Sequence, residues 1–263
     1  MKYILTMIYR KAFYTMFSTN HFIWLGLCAL FIGGLLYFSI RFKFSFKTAT
    51  YIVSGIAIAS ELCKIFTHIE SIYDESGKLY GGVLEAGALP FHLCSILIFF
   101  IIYLNFCKND ARLEKIKSFV IPIALLGGTM ALLIPTSGVD FLQPYAYQCF
   151  VYHAGLIWYG LYLLISKQAA LGLKSYRNNM VYLFSIMFVM FWVNSALQIY
   201  ETNFFFLVRP PMENLPVLNL NNGWFVYFIS LISVAFVLFT LLHIPFIIAE
   251  HRRNKQNDET TNS

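Results

Sequence analysis

Seven long apolar runs limit what this chain can fold into more than any other feature. They lie at Phe22–Ile40, Ala49–Ile69, Ala88–Phe106, Phe119–Pro135, Ala146–Ile165, Val181–Ile199 and Trp224–Ile248. A helix needs about 20 apolar residues to cross the hydrocarbon core of a bilayer, and these runs approach that length. They are continuous, without the alternation of a membrane barrel strand. The expected fold is therefore all-α: a polytopic helix bundle of about seven spans, residues 22–248. An amphipathic segment, 1–21, precedes it, and a polar cytoplasmic tail, 249–263, expected to be disordered, follows. No internal repeat of the kind found in inverted-repeat transporters is evident.

Composition agrees. Apolar residues make up 59% of the chain, charged residues 12%, and the mean hydropathy of +0.65 exceeds that of a soluble domain. The net charge of +6 would point to nucleic acid in a soluble protein. Here the basic residues fall between apolar runs, so they read as topology signals, and nucleic acid is excluded. Arg41, Lys43 and Lys47 follow the first run, Lys108 to Lys117 the third, Lys167 to Arg177 the fifth, and Arg252 to Lys255 the last. The positive-inside rule then places the N-terminus outside and the C-terminus in the cytoplasm of a cell-membrane protein. Lys2, Arg10 and Lys11 run against this orientation. An interfacial helix carrying Ile4, Met7, Ile8, Ala12 and Met16 on one face accommodates them.

Polar residues inside apolar runs are costly and mark functional candidates. With a rise of about 1.5 Å per residue, Glu61, Cys94, His153 and Asn194 come out roughly 8–10 Å inside the outer boundary. Lys64 and His68 share a helix face with Glu61, Gln198 follows Asn194 by one turn, and His92 stands two residues before Cys94. The inner halves of the spans offer no comparable set. Each residue also has a structural reading: an intrahelical ion pair for Glu61 and Lys64, a bond to a helix-start carbonyl for His92, and inter-helix amide bonds for Asn194 and Gln198. His153 is the hardest to explain as packing.

Five cysteines, Cys28, Cys63, Cys94, Cys107 and Cys149, lack metal-ligand or redox spacing, so no disulfide framework is expected. Cys28 reads as packing in a retained span. A thiol becomes a nucleophile when an imidazole takes its proton. Cys94 with His153 is the preferred pair, and Cys149, one turn before His153, is the rival. A metal set of Glu61, His92 and His153 has no recognised spacing, and no cofactor is expected.

The string Leu89-Pro90-Phe91-His92-Leu93-Cys94, with Gln148 to Gly155, Asn194, Thr202 to Pro210 and Ile244-Pro245-Phe246, resembles the YwaF-type family of bacterial multi-pass membrane proteins. The resemblance covers nearly the whole chain. Eukaryotic relatives are lipid acyltransferases working through a cysteine and a histidine, and the resemblance implies Cys94 and His153 in those roles. Ser95 stands where many relatives carry an acidic residue. The expected function is thus a lipid acyltransferase or lipid hydrolase, with membrane lipids as partners. The alternative is a small-solute transporter or binding protein with Glu61, Lys64, His92, Asn194 and Gln198 around a cavity and Gly127-Gly128-Thr129 in a close-packed wall. A purely structural membrane protein, its buried polar groups fixing helix register, is the third reading. Oligomeric state is not encoded in any recognisable feature.

Overall fold

A computed structural model describes residues 16–74, 76–212 and 215–261. Seven helices carry the fold: α1 (Thr19–Arg41), α2 (Phe46–Thr67), α3 (Leu93–Phe106), α4 (Asp110–Leu133), α5 (Pro144–Ile165), α6 (Leu173–Ala196) and α7 (Trp224–Thr261). Six are long and apolar enough to cross a membrane, and α3 is the exception. The result is a polytopic helix bundle. The amphipathic N-terminal segment lies almost wholly outside the described residues.

Three helices begin ahead of the apolar runs at a capping residue, α1 and α2 at Thr19 and Phe46 against Phe22 and Ala49, and α4 at Asp110 against Phe119. Ser18 caps α1 by accepting from the backbone N–H of His21, Ser45 caps α2 through Thr48, and Asn109 caps α4 through Arg112. The expected disorder after Ile248 is not found. Helix α7 continues to Thr261, because its polar extension contains neither Gly nor Pro and is rich in residues that tolerate helix well.

Helix α5 is the centre of the bundle, enclosed by α1, α2 and α4; α3 packs against α2 and α4. Close approach of α4 and α5 depends on Gly128. A Cβ there would lie 2.7 Å from Ile157 and 3.1 Å from the His153 carbonyl. The inner half of α5 sends polar tips to its neighbours: Trp158 Nε1 donates to Ser39 Oγ (3.1 Å), Tyr162 Oη to the Phe44 carbonyl (3.0 Å), and Tyr159 shares a hydrogen bond with Thr50 (2.8 Å). This half of α5 is therefore also hydrogen-bonded to its neighbours. Its partners are aromatic and hydroxyl groups, which a search for ionisable residues overlooks.

Between α2 and α3 stands an exposed antiparallel hairpin, β1 (Ile69–Tyr73) and β2 (Leu79–Leu84), which no polar–apolar alternation announced. Asp74 closes its turn by accepting from the Ser76 and Lys78 backbone N–H groups, each at 2.9 Å. The chain then makes a short 3₁₀ turn at Ala86–Ala88, holds Leu89 extended ahead of Pro90, and turns again at Pro90 and Phe91 before α3 begins.

Candidate functional site

Pro90 sets the site. The apolar run was expected to be helical from Ala88, but α3 starts five residues later, at Leu93. Its 14 residues span only about 21 Å, short of the roughly 30 Å of a hydrocarbon core. The N-terminal turn of α3 is thereby drawn into the bundle, where backbone without helical partners is tolerated only against protein or a cavity. His92 occupies the cap position and makes no capping hydrogen bond with its side chain.

Cys94 is the second residue of this uncapped turn and is half-buried. The first backbone hydrogen bond of the helix runs from Ile96 to His92 (2.9 Å), so the N–H groups of Cys94 and Ser95, as first-turn donors, have no intrahelical carbonyl to bond. Its carbonyl accepts from Tyr152 Oη of α5 at 2.7 Å, which locks α5 to the head of α3. On the α2 side, Lys64 Nζ forms an ion pair with Glu61 (2.7 Å) and donates to Ser95 Oγ (3.0 Å). Ser95 in turn faces Glu61 Oε2 at 3.5 Å. Glu61 and Lys64 thus make the intrahelical pair their spacing allows and also reach the residue next to Cys94.

His153 is buried on α5, one turn after Cys149. Its Nδ1 lies 2.7 Å from the Cys149 carbonyl oxygen. A carbonyl only accepts, so Nδ1 carries the proton and the basic lone pair of a neutral ring is on Nε2. Nε2 has no hydrogen-bond partner among the described residues. Cys149 Sγ sits 3.7 Å from Nδ1, the protonated nitrogen, and so cannot hand its proton to it. No hydrogen bond joins His153 to Cys94.

The remaining polar candidates are tied into a strap between α6 and α7. Both amide atoms of Asn194 are used on one residue: Oδ1 accepts from Phe204 N (2.8 Å) and Nδ2 donates to Phe204 O (3.0 Å). Asn203 closes the loop on itself, accepting from Val208 and Arg209 N–H (both 3.1 Å) and donating to the Arg209 carbonyl (2.9 Å). Three bulky residues here, Glu201, Phe205 and Phe206, adopt left-handed backbone with φ of 53°, 57° and 56°. Such conformations are strained and persist only where the surroundings enforce them. The strap presses Phe204 and Phe206 onto the His92 ring, at centroid distances of 5.2 and 5.8 Å. Gln198 lies in an exposed turn away from this cluster.

The sequence pattern of the TMEM164 family matches residues 16–243. The chain belongs to the TMEM164 family. That assignment supplies the multi-pass membrane class that the resemblance implied. No curated protein and no solved structure matches the chain.

Every candidate residue named from the sequence falls within the stretch matched by the TMEM164 family. The structure groups Glu61, Lys64, Ser95 and Cys94 at one helix start, with His92 under the strap beside them and His153 behind Tyr152. Tyr152 and Tyr145 were missed. Tyr145 packs edge-on against His68 at 4.6 Å. The i, i+4, i+7, i+8 spacing of Tyr145, Cys149, Tyr152 and His153 was the signal that one face of α5 is polar. Among the described residues no group of three His, Cys, Asp or Glu side chains is arranged to hold a metal ion.

Proposed function

We propose that this TMEM164-family protein is a membrane-embedded enzyme of the cell membrane that moves acyl groups from lipid esters to an alcohol or to water, with Cys94 as its nucleophile. The observation that supports this reading most is the uncapped first turn of α3, which holds Cys94 among helix-start N–H groups without intrahelical partners, next to the Ser95 that Lys64 bonds. A helix N-terminus favours a thiolate, and the same donors are available to an oxyanion.

In the reaction, His153 Nε2 takes the proton of the Cys94 thiol, and the resulting thiolate attacks the ester carbonyl to form the tetrahedral oxyanion. It collapses to a thioester as the glycerol oxygen leaves with a proton from the His153 imidazolium. An acceptor hydroxyl or water then gives its proton back to His153 Nε2 and attacks the thioester, restoring the thiol. His153 can serve only through Nε2, because Nδ1 is committed to the Cys149 carbonyl. Closure of Nε2 onto the sulfur, directly or through one water, accompanies substrate binding, as is common where an unliganded site is loose. Lys64, held by Glu61 and Ser95, offers a cation to a lipid phosphate or to the oxyanion. Asn194 acts as a positioning residue, fixing the strap over His92.

Labelling with a thiol-directed, lipid-like probe tests the nucleophile. Cys94→Ala abolishes labelling and Cys149→Ala retains it; the reverse pattern transfers the role to Cys149.

A further inference from the structure

Helices α6 and α7 part towards the end that carries the strap and leave a groove of about 520 Å³ between them. The volume is in the range of pockets that enclose a small ligand. Its walls are Phe184, Phe188 and Phe191 of α6 and Trp224, Phe228 and Ile232 of α7. Its floor is Met187 and the strap's Leu207, which are 8% and 1% exposed. The eight helical steps from Trp224 to Ile232, at about 1.5 Å each, give it a length of about 12 Å along the helices. Every lining side chain is apolar or aromatic, and the sole polar atom on them, Trp224 Nε1, is already used on the Leu207 carbonyl at 3.0 Å.

Nothing in this groove can recognise a headgroup, a peptide backbone or a solute. Phe188 and Phe225, at 64% and 68% exposure, open it to the medium beside the bundle, which for a membrane protein is hydrocarbon. A flexible chain of methylenes laid there touches protein on three sides, whereas an apolar void forfeits those contacts. The groove also joins the candidate site. Leu207 follows Phe204 and Phe206, whose rings pack on His92, two residues before Cys94.

We propose that the α6–α7 groove holds one acyl chain of the lipid substrate, with the strap dividing chain from reacting ester. The proposal deepens the acyl-transfer reading and rests on it for the word substrate. Occupancy by an acyl chain is tested separately.

The full-length protein is reconstituted in phosphatidylcholine vesicles containing a phosphatidylcholine whose acyl chain bears a photoactivatable diazirine and a clickable terminus. Cross-linked peptides are then mapped by mass spectrometry. The expected result is label on Met187, Phe188 and Phe225 at about threefold or more over the lipid-exposed control Leu30 of α1, since packing and not hydrophobicity drives preference inside a bilayer. Cys94→Ala retains that pattern, because binding does not require the thiol. Ile232→Trp narrows the groove and lowers the label at Met187 and Phe188 to the control level, while an unchanged melting temperature shows the bundle intact. Groove label without any thioester on Cys94 leaves this site standing and removes the enzymatic reading. Label spread evenly over all lipid-facing helices, or groove residues cross-linked to a second copy of the chain, overturns the proposal.

Discussion

Two buried histidines, His153 on α5 and His243 on α7, begin from the same local arrangement and end differently. Each directs Nδ1 at the carbonyl four residues earlier, Cys149 at 2.7 Å and Phe239 at 2.9 Å, so both rings carry their proton on Nδ1. At His243 the second nitrogen accepts from Asn179 Nδ2 (3.5 Å), and Asn179 is in turn bonded to Ser118 O (2.8 Å) and Ser118 Oγ (3.4 Å). That ring is closed on all sides and fixes α4, α6 and α7 together. At His153 the second nitrogen is left with its lone pair and no protein partner. Burial alone does not separate the two rings; their hydrogen bonds do, complete at His243 and open at Nε2 of His153.

The sharpest way to break this contrast is the same substitution at both histidines, since Asn keeps a donor near the Nδ1 position and removes the basic lone pair. His153→Asn is expected to lower acyl transfer by about 10³-fold or more, with little loss of stability. His243→Asn is expected to cost about 2 kcal/mol of stability by removing the acceptor of one Asn179 amide hydrogen and leaving a small void, while activity per folded molecule is kept. Thermal melts in detergent with activity assays on the same samples separate the two. Equal losses of activity at the two sites, or a stability loss confined to His153, would erase the distinction.

A smaller effect comes from the other contact that closes the inner end. Glu250 of α7 accepts from the Leu173 N–H at 2.9 Å and so caps α6, whose own cap residue, Gly172, has no side chain to do so. A methyl group on Gly172 would fall on the Glu250 carboxylate. Gly172→Ala should therefore cost about 1 kcal/mol, the usual worth of a cap, read as a lowered melting temperature without change at Cys94.

The smallest effect is expected at the exposed hairpin. Asp74 is held below the ordinary carboxylate range by the Ser76 hydroxyl and by the Lys78 and Ser76 N–H groups. Its folded-state value is depressed, so its contribution is complete above the ordinary aspartate range and is lost as pH falls through the folded value. Amide exchange at Ser76 and Lys78, corrected for intrinsic rates, should show protection at neutral pH that declines only in acid below that range. Protection unchanged by acid, or lost near pH 6, would contradict this.

Much of the fold was legible because length and hydropathy determine which segments can satisfy their backbone inside a bilayer, and six of the seven runs became full-length spans. The third did not. Pro90 was visible, but its consequence, a helix starting at Leu93 with Cys94 in its first turn, depends on what surrounds it. The site was legible as a set of depths: Glu61, Lys64 and Cys94 do share one neighbourhood. Depth carries no azimuth, so it could not say that Asn194 faces the Phe204 backbone, that Gln198 turns outward, or that Cys149 is the thiol nearer to His153. Tyr152, apolar by count and polar at its tip, was hidden by its own composition class.

The central claim is that the thiol in the uncapped turn of α3, and not the thiol nearest the imidazole, carries an acyl group. Incubation of the purified protein with a phosphatidylcholine of defined chains, followed by acid quench and mass analysis of the intact chain and its peptides, reads this directly. The account predicts one acyl mass, released by hydroxylamine, on the peptide containing Cys94, and its strong reduction in His153→Asn, since His153 serves acylation as well as deacylation. An acyl mass on the Cys149 peptide, or none on any cysteine while product still forms, would contradict it.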